Sequence, residues 1–204
     1  MELWLANINS VVELMIFIVA STIGLYTFKI HKVTGARNAK LLGISFLLIG
    51  LSFVTKAILN MVINNNVIQG HVFVPIATLI YSAFLLFGYT VLDKLFLDIR
   101  SYRVFGLQIV LFTASLFLIY LNGLIFLDLI SFLLLAFPVM HFFDNFRKKY
   151  SRNSVMIFLA FTALMVSHAS FLLVFINKSL FFADNLIRLI AFVVLFSHYV
   201  LVRK

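Results

Sequence analysis

Seven apolar stretches, each about as long as a bilayer crossing, occupy most of this chain and decide what it can fold into. They run Ile8 to Phe28, Leu41 to Ile63, Val72 to Leu92, Val104 to Leu121, Leu124 to Phe143, Val155 to Ile176 and Ala183 to Val202. A helix crosses a hydrocarbon core about 30 Å thick with about 20 apolar residues, at about 1.5 Å per residue. The fourth and fifth stretches are divided only by Asn122-Gly123, a turn signal. The expected fold is therefore all-α: one domain over residues 1–204, a polytopic membrane bundle of seven transmembrane helices.

Composition agrees. Of 204 residues, 64% are hydrophobic and 11% charged, whereas a soluble domain runs about 45–50% apolar and about 25% charged. The spans leave no room for a soluble catalytic or nucleic-acid-binding domain. With no cysteine, disulfides, thiolate metal sites, iron–sulfur clusters and thiol catalysis are excluded together. The start, Met1-Glu2-Leu3-Trp4, lacks the basic region of a secretory signal, so the first stretch reads as a retained span.

Lysine and arginine placement gives the orientation. Lys29, Lys32, Arg37, Lys40, Lys94, Arg100, Arg103, Arg147, Lys148, Lys149, Arg152, Arg203 and Lys204 fall on one side, 13 of the 16 basic residues. Cationic loops resist translocation, so that side is cytoplasmic, with the N-terminus outside and the C-terminus inside. Tyr26, Tyr89, Tyr102, Tyr150 and Tyr199 also gather toward that face, where interfacial aromatics are expected. The net charge of +9 is then a topology signal, and it predicts contact with anionic lipid headgroups on the cytoplasmic side rather than with nucleic acid. The expected location is the cell membrane.

A faint repeat runs through the chain. Arg37-Asn38, Phe46 and Ser52 recur 115 residues later as Arg152-Asn153, Phe161 and Ser167; Phe87, Val91 and Leu92 recur 109 residues later as Phe196, Val200 and Leu201. The plan implied is three helices, a linker helix, and three helices in the same orientation, as in transporters built from parallel repeats.

Ionisable groups inside spans are expensive and mark functional sites by default. Glu13, Lys56, Asp128, His168 and Arg188 all fall in the outer half, and Asn60 shares a helix face with Lys56 and Ser52. Asp184, Arg188, Ala191, Leu195 and His198 trace one stripe of the last helix. Two readings fit. In the first, an outward-facing polar pocket forms in which Lys56 and Arg188 receive an anionic group and Glu13 and Asp128 balance them when it is empty. In the second, Asp184 and Arg188 form a local pair, Lys56 snorkels outward, and Glu13 or Asp128 reaches headgroup water.

His31, His141 and His198 lie near cytoplasmic helix ends with Asp144 close to His141, a set that could hold zinc with an open position for hydrolysis. In topology this resembles the membrane hydrolases of the alkaline ceramidase and progestin-receptor superfamily, although their paired histidines on one late helix are missing here. A haem shared by His168 and His198 is excluded by their different depths, and no cofactor is expected. The retinal lysine of microbial rhodopsins is missing from the last helix. The three-one-three plan resembles that of sugar transporters, yet the only prolines, Pro75 and Pro138, are not at equivalent places. Pro138 is expected to kink the fifth helix.

The run Phe28-Lys29-Ile30-His31-Lys32-Val33-Thr34-Gly35-Ala36-Arg37 and the run Asn185-Leu186-Ile187-Arg188-Leu189-Ile190-Ala191-Phe192 resemble small archaeal-type seven-helix membrane proteins and the seven-helix sensory modules of signalling proteins. That resemblance implies a sensory or accessory role with a separate membrane or cytoplasmic protein partner. A small solute transporter is the alternative, and an intramembrane zinc hydrolase the third.

Overall fold

The computed structural model describes residues 3–64, 73–97, 102–122, 124–148, 150–173 and 180–201. Seven α-helices run in the expected order: α1 (Leu3–Thr34), α2 (Arg37–Asn64), α3 (Phe73–Phe96), α4 (Tyr102–Asn122), α5 (Leu124–Lys148), α6 (Arg152–Leu173) and α7 (Leu180–Phe196), the last continued by a π-helical turn, Ser197–Leu201. No strand occurs among the described residues. Five helices carry stretches long and apolar enough to cross a membrane: Ile8–Thr34, Arg37–Val62, Val74–Phe96, Ile125–Lys148 and Arg152–Ala169. This is a multi-pass membrane protein.

Several helices outrun their apolar stretches. α1 continues through Lys29, His31 and Lys32 to Thr34 before α2 begins at Arg37. An apolar stretch ends where hydrocarbon would end, whereas a helix carries on until something stops it. Here that stop is Gly35, whose φ of 66° is the left-handed conformation that closes a helix. Its N–H donates to the His31 carbonyl at 2.8 Å. The expected break at Asn122-Gly123 is matched by α4 ending at Asn122 and α5 starting at Leu124; Gly123 itself lies outside the described residues.

The helices close into a ring. α1 packs on α2, α2 on α3, α3 on α5, α5 on α6, α6 on α7, and α7 back on α1, while α4 lies outside against α3 and α5. Small residues permit the closest approaches, as lipid-embedded helices require. A Cβ at Gly24 would lie 2.8 Å from Leu47, one at Gly43 would lie 2.9 Å from Phe28, and one at Gly88 would lie 2.7 Å from Ile49. At the last seam Ser45 Oγ donates to the Gly88 carbonyl at 2.6 Å. The ring interior is filled by aromatics: Phe46 and Phe53 of α2 meet Phe192 of α7 edge-on at 6.3 and 6.0 Å. Phe96, Phe142 and Phe161 tie α3, α5 and α6 together. The outer surface is apolar, with Val11, Ile18 and Leu25 spaced along one exposed face of α1.

Because Gly88 sits against both Ile49 and the Ser45 carbonyl, Gly88→Leu should separate α2 from α3. The expected loss is about 1–3 kcal/mol, the usual penalty for overpacking a tight core, read as a lower midpoint of unfolding in SDS titration of the purified protein.

Candidate functional site

One end of the ring interior is polar, and each of the six ring helices supplies at least one side chain to it. From α1, Glu13 is fully buried. Its Oε1 lies 3.1 Å from Lys56 Nζ on α2, and its Oε2 accepts from Asn60 Nδ2, one turn along the same helix, at 2.9 Å. The ammonium also rests 5.7 Å from the centre of the Tyr81 ring of α3, a cation–π contact. The four-residue spacing of Lys56 and Asn60 is what lets two side chains of one helix grip one carboxylate.

A second group centres on Arg188 of α7, 1% exposed. Its Nη2 lies 3.0 Å from Asp184 Oδ2, one turn earlier on the same helix, and 3.1 Å from Asp128 Oδ1 on α5. Its Nε donates to Ser167 Oγ of α6 at 3.2 Å. Asp128 Oδ1 is also 2.6 Å from His168 Nδ1, and His168 Nε2 is 3.0 Å from the Tyr89 hydroxyl of α3. The donor pattern follows from the partners. Nδ1–H donates to the carboxylate, which leaves Nε2 to accept the tyrosine O–H. A second proton, on Nε2, would reverse that last bond, with the hydroxyl oxygen accepting and its O–H turned away from the ring. Beside this group, Asn185 Nδ2 donates to Asn9 Oδ1 at 3.2 Å and ties α7 to α1.

Glu13, Lys56, Asn60, Asp128, His168 and Arg188 are thus all brought into the interior. The Asp184–Arg188 pair forms as the sequence suggests, but two other parts of that reading need correction. Lys56 does not snorkel: it is 9% exposed and turned inward onto Glu13. Neither Glu13 nor Asp128 reaches headgroup water, being 0% and 4% exposed. Each finds its counter-charge on a neighbouring helix, which a spacing argument within one helix cannot reveal. Tyr89 and Tyr199 are corrections of the same kind. Tyr89 lies inside the bundle on His168, and Tyr199 packs against Phe46; Tyr150 is exposed.

The second histidine set does not gather. His31 Nδ1 bonds the Ala36 carbonyl at 3.0 Å, and His141 packs against Phe96 and Phe142. Asp144 is exposed, and His198 lies in the π-helical turn beside Tyr199. Among the described residues no three His, Cys, Asp or Glu side chains are placed to share a metal ion. Near-equal depth on different helices does not bring side chains to one point.

Tyr81 and Asn9 carry no signal of core membership in the sequence, and Ser167 and Asn185, noted there for other reasons, join them in the core. Asp93 was hidden by a boundary: the apolar stretch stops at Leu92, whereas α3 continues to Phe96 and carries Asp93 inside. A separate apolar crevice of about 250 Å³ lies between α3, α4 and α5, lined among others by Leu86, Gln108, Phe112 and Leu134. Compared with protein-family models, curated proteins and solved structures, the chain matches none.

Removing one member of a buried ion pair strands the other. Lys56→Met alone should cost about 3–5 kcal/mol of stability, and adding Glu13→Gln should recover most of it, because an apolar or neutral pair of similar size is tolerated where a lone charge is not. SDS-unfolding midpoints of the two single variants and the double variant measure this; equal losses in all three would show that the pair is not buried as described.

Proposed function

We propose that this protein is a small transporter of anionic solutes, with seven spans, its N-terminus outside the cell membrane and its C-terminus in the cytoplasm, built from two parallel three-helix halves joined by α4. The observation that carries this reading is a pair of buried acids at equivalent positions, each pairing with the next helix; their partners, Lys56 and His168, lie 112 residues apart, about one turn off the offset. Glu13 and Asp128 stand 115 residues apart, the same offset that relates Arg37 at the start of α2 to Arg152 at the start of α6. Each is on the first helix of its half, each is buried, and each pairs with a cationic or imidazole group on the next helix: Lys56 at 3.1 Å and His168 at 2.6 Å.

Other features support the duplication. Phe46 and Phe161 are both fully buried. Ser52 and Ser167, again 115 apart, both donate to the carbonyl three residues back, at 2.6 and 2.7 Å. The ring order α1-α2-α3-α5-α6-α7 leaves α4 outside, as a linker should be. Parallel repeats place their substrate sites near the interface of the halves. Contacts across that interface include Tyr89 with His168 and Asn185 with Asn9.

Lys56 and Arg188 would receive the anion. In the solute's absence Glu13, Asp128 and Asp184 neutralise them, and solute binding exchanges one counter-charge for another rather than exposing a bare cation. The sensory or partner-binding module that the sequence favours would use the same core as a switch, with the basic cytoplasmic helix ends meeting anionic headgroups or a protein partner.

One assay separates the two. Purified protein in liposomes is tested for exchange of radiolabelled chloride, phosphate, acetate and glutamate, with binding followed by thermal shift. Transport predicts exchange of at least one probe, slowed tenfold or more (about 1.4 kcal/mol) by Arg188→Ala or Lys56→Ala. Binding of a probe without exchange would replace transport by the sensory reading.

A further inference from the structure

Asp93 stands apart from every ion pair described above. It is 1% exposed on α3, and its Oδ1 has no hydrogen-bond partner. It continues the interior stripe of Leu85, Leu86, Tyr89 and Leu92, all buried, and follows Tyr89 by one helical turn, about 5.4 Å toward the cytoplasmic end. α3 is packed by α2, α4 and α5. At this end those helices carry Arg37, Lys40, His141, Asp144, Arg147 and Lys148 among the residues with described side chains. None of them hydrogen-bonds or ion-pairs with Asp93; His141 is occupied against Phe96 instead. On α3 itself Lys94 projects about 100° round the helix from Asp93.

A carboxyl group kept in a membrane interior without a partner is costly and marks a pathway or ligand site. We propose that Asp93 is a proton-binding site, loaded and unloaded from the cytoplasmic side and set one turn below the Tyr89–His168 contact of the ion-paired core. A proton suits it better than a metal cation. One oxygen suffices to bind a proton, whereas sodium or a divalent ion needs several oxygen ligands, and no acidic or imidazole cluster surrounds Asp93 among the described residues. His168 sits on the other side of Tyr89 with a nitrogen that can take a proton by reversal of one hydrogen bond. The stripe Asp93, Tyr89, His168 therefore sets two proton-accepting groups along one interior line. As the coupling-ion site of a transporter, Asp93 rests on the transport reading; its proton binding does not, and can be measured alone.

The test is infrared difference spectroscopy of the full chain in lipid nanodiscs, titrated with pH in sodium-free buffer. The wild type is expected to show a carboxylic-acid carbonyl band that is lost as pH rises and shifts in D₂O. The band should be missing in Asp93→Asn and return at a displaced frequency in Asp93→Glu, with all three proteins eluting alike and equally helical by circular dichroism. Identical spectra for wild type and Asp93→Asn would overturn the proposal, as would a band that never titrates. A band that responds to added sodium and not to pH would assign the site to a cation instead. If solute exchange fails while the band titrates as expected, the transport reading falls and the proton site stands.

Discussion

Arg188 cannot shed its charge, so burying it obliges the surrounding bundle to supply negative charge and hydrogen-bond acceptors. Asp184 comes from its own helix, Asp128 from α5, and Ser167 from α6. Asp128 in turn engages His168, which reaches Tyr89 on α3. One guanidinium thereby fixes four helices relative to one another. Glu13, Lys56 and Asn60 do the same for α1 and α2. In hydrocarbon, where helix association gains little from the hydrophobic effect, such pairs and close small-residue contacts carry the specificity of packing.

The polar and apolar halves of the interior divide the work. Phe46, Phe53 and Phe192 close the middle of the ring. The ion-paired layer lies on the side of them toward the start of α7, since Arg188 precedes Phe192 by four residues on that helix. Three carboxylates, Glu13, Asp128 and Asp184, face two fixed cations, Lys56 and Arg188. A proton on His168 would complete the balance.

Much of the architecture was legible because the bilayer imposes a length. Seven apolar stretches became seven helices, and the residues singled out as costly inside a span, Glu13, Lys56, Asp128, His168 and Arg188, all turned inward. Their pairing was not legible, since Glu13 finds Lys56 across 43 residues and Asp128 finds Arg188 across 60. Only the neighbour order of the helices decides that. Depth misled in both directions. Tyr89 reads as an interfacial aromatic and is a core hydrogen-bond donor, while Asp93 falls one residue beyond an apolar stretch and is buried. His31, His141 and His198 share a depth, yet their helices hold them apart. The 115-residue offset between Glu13 and Asp128 can be read in the sequence, but an acid matched to a different acid draws no notice until both are seen paired.

The central claim is that the buried ion pairs hold the ring closed, and the seam between α1 and α7 is where closure is most directly measured. Because the chain has no native cysteine, Asn9→Cys with Asn185→Cys gives a clean cross-linking pair at a contact whose side-chain atoms now meet at 3.2 Å. The account predicts efficient disulfide formation in membranes under mild oxidation, and a marked fall when Arg188→Ala is added. No cross-link in the parent, or one indifferent to loss of Arg188, would contradict it.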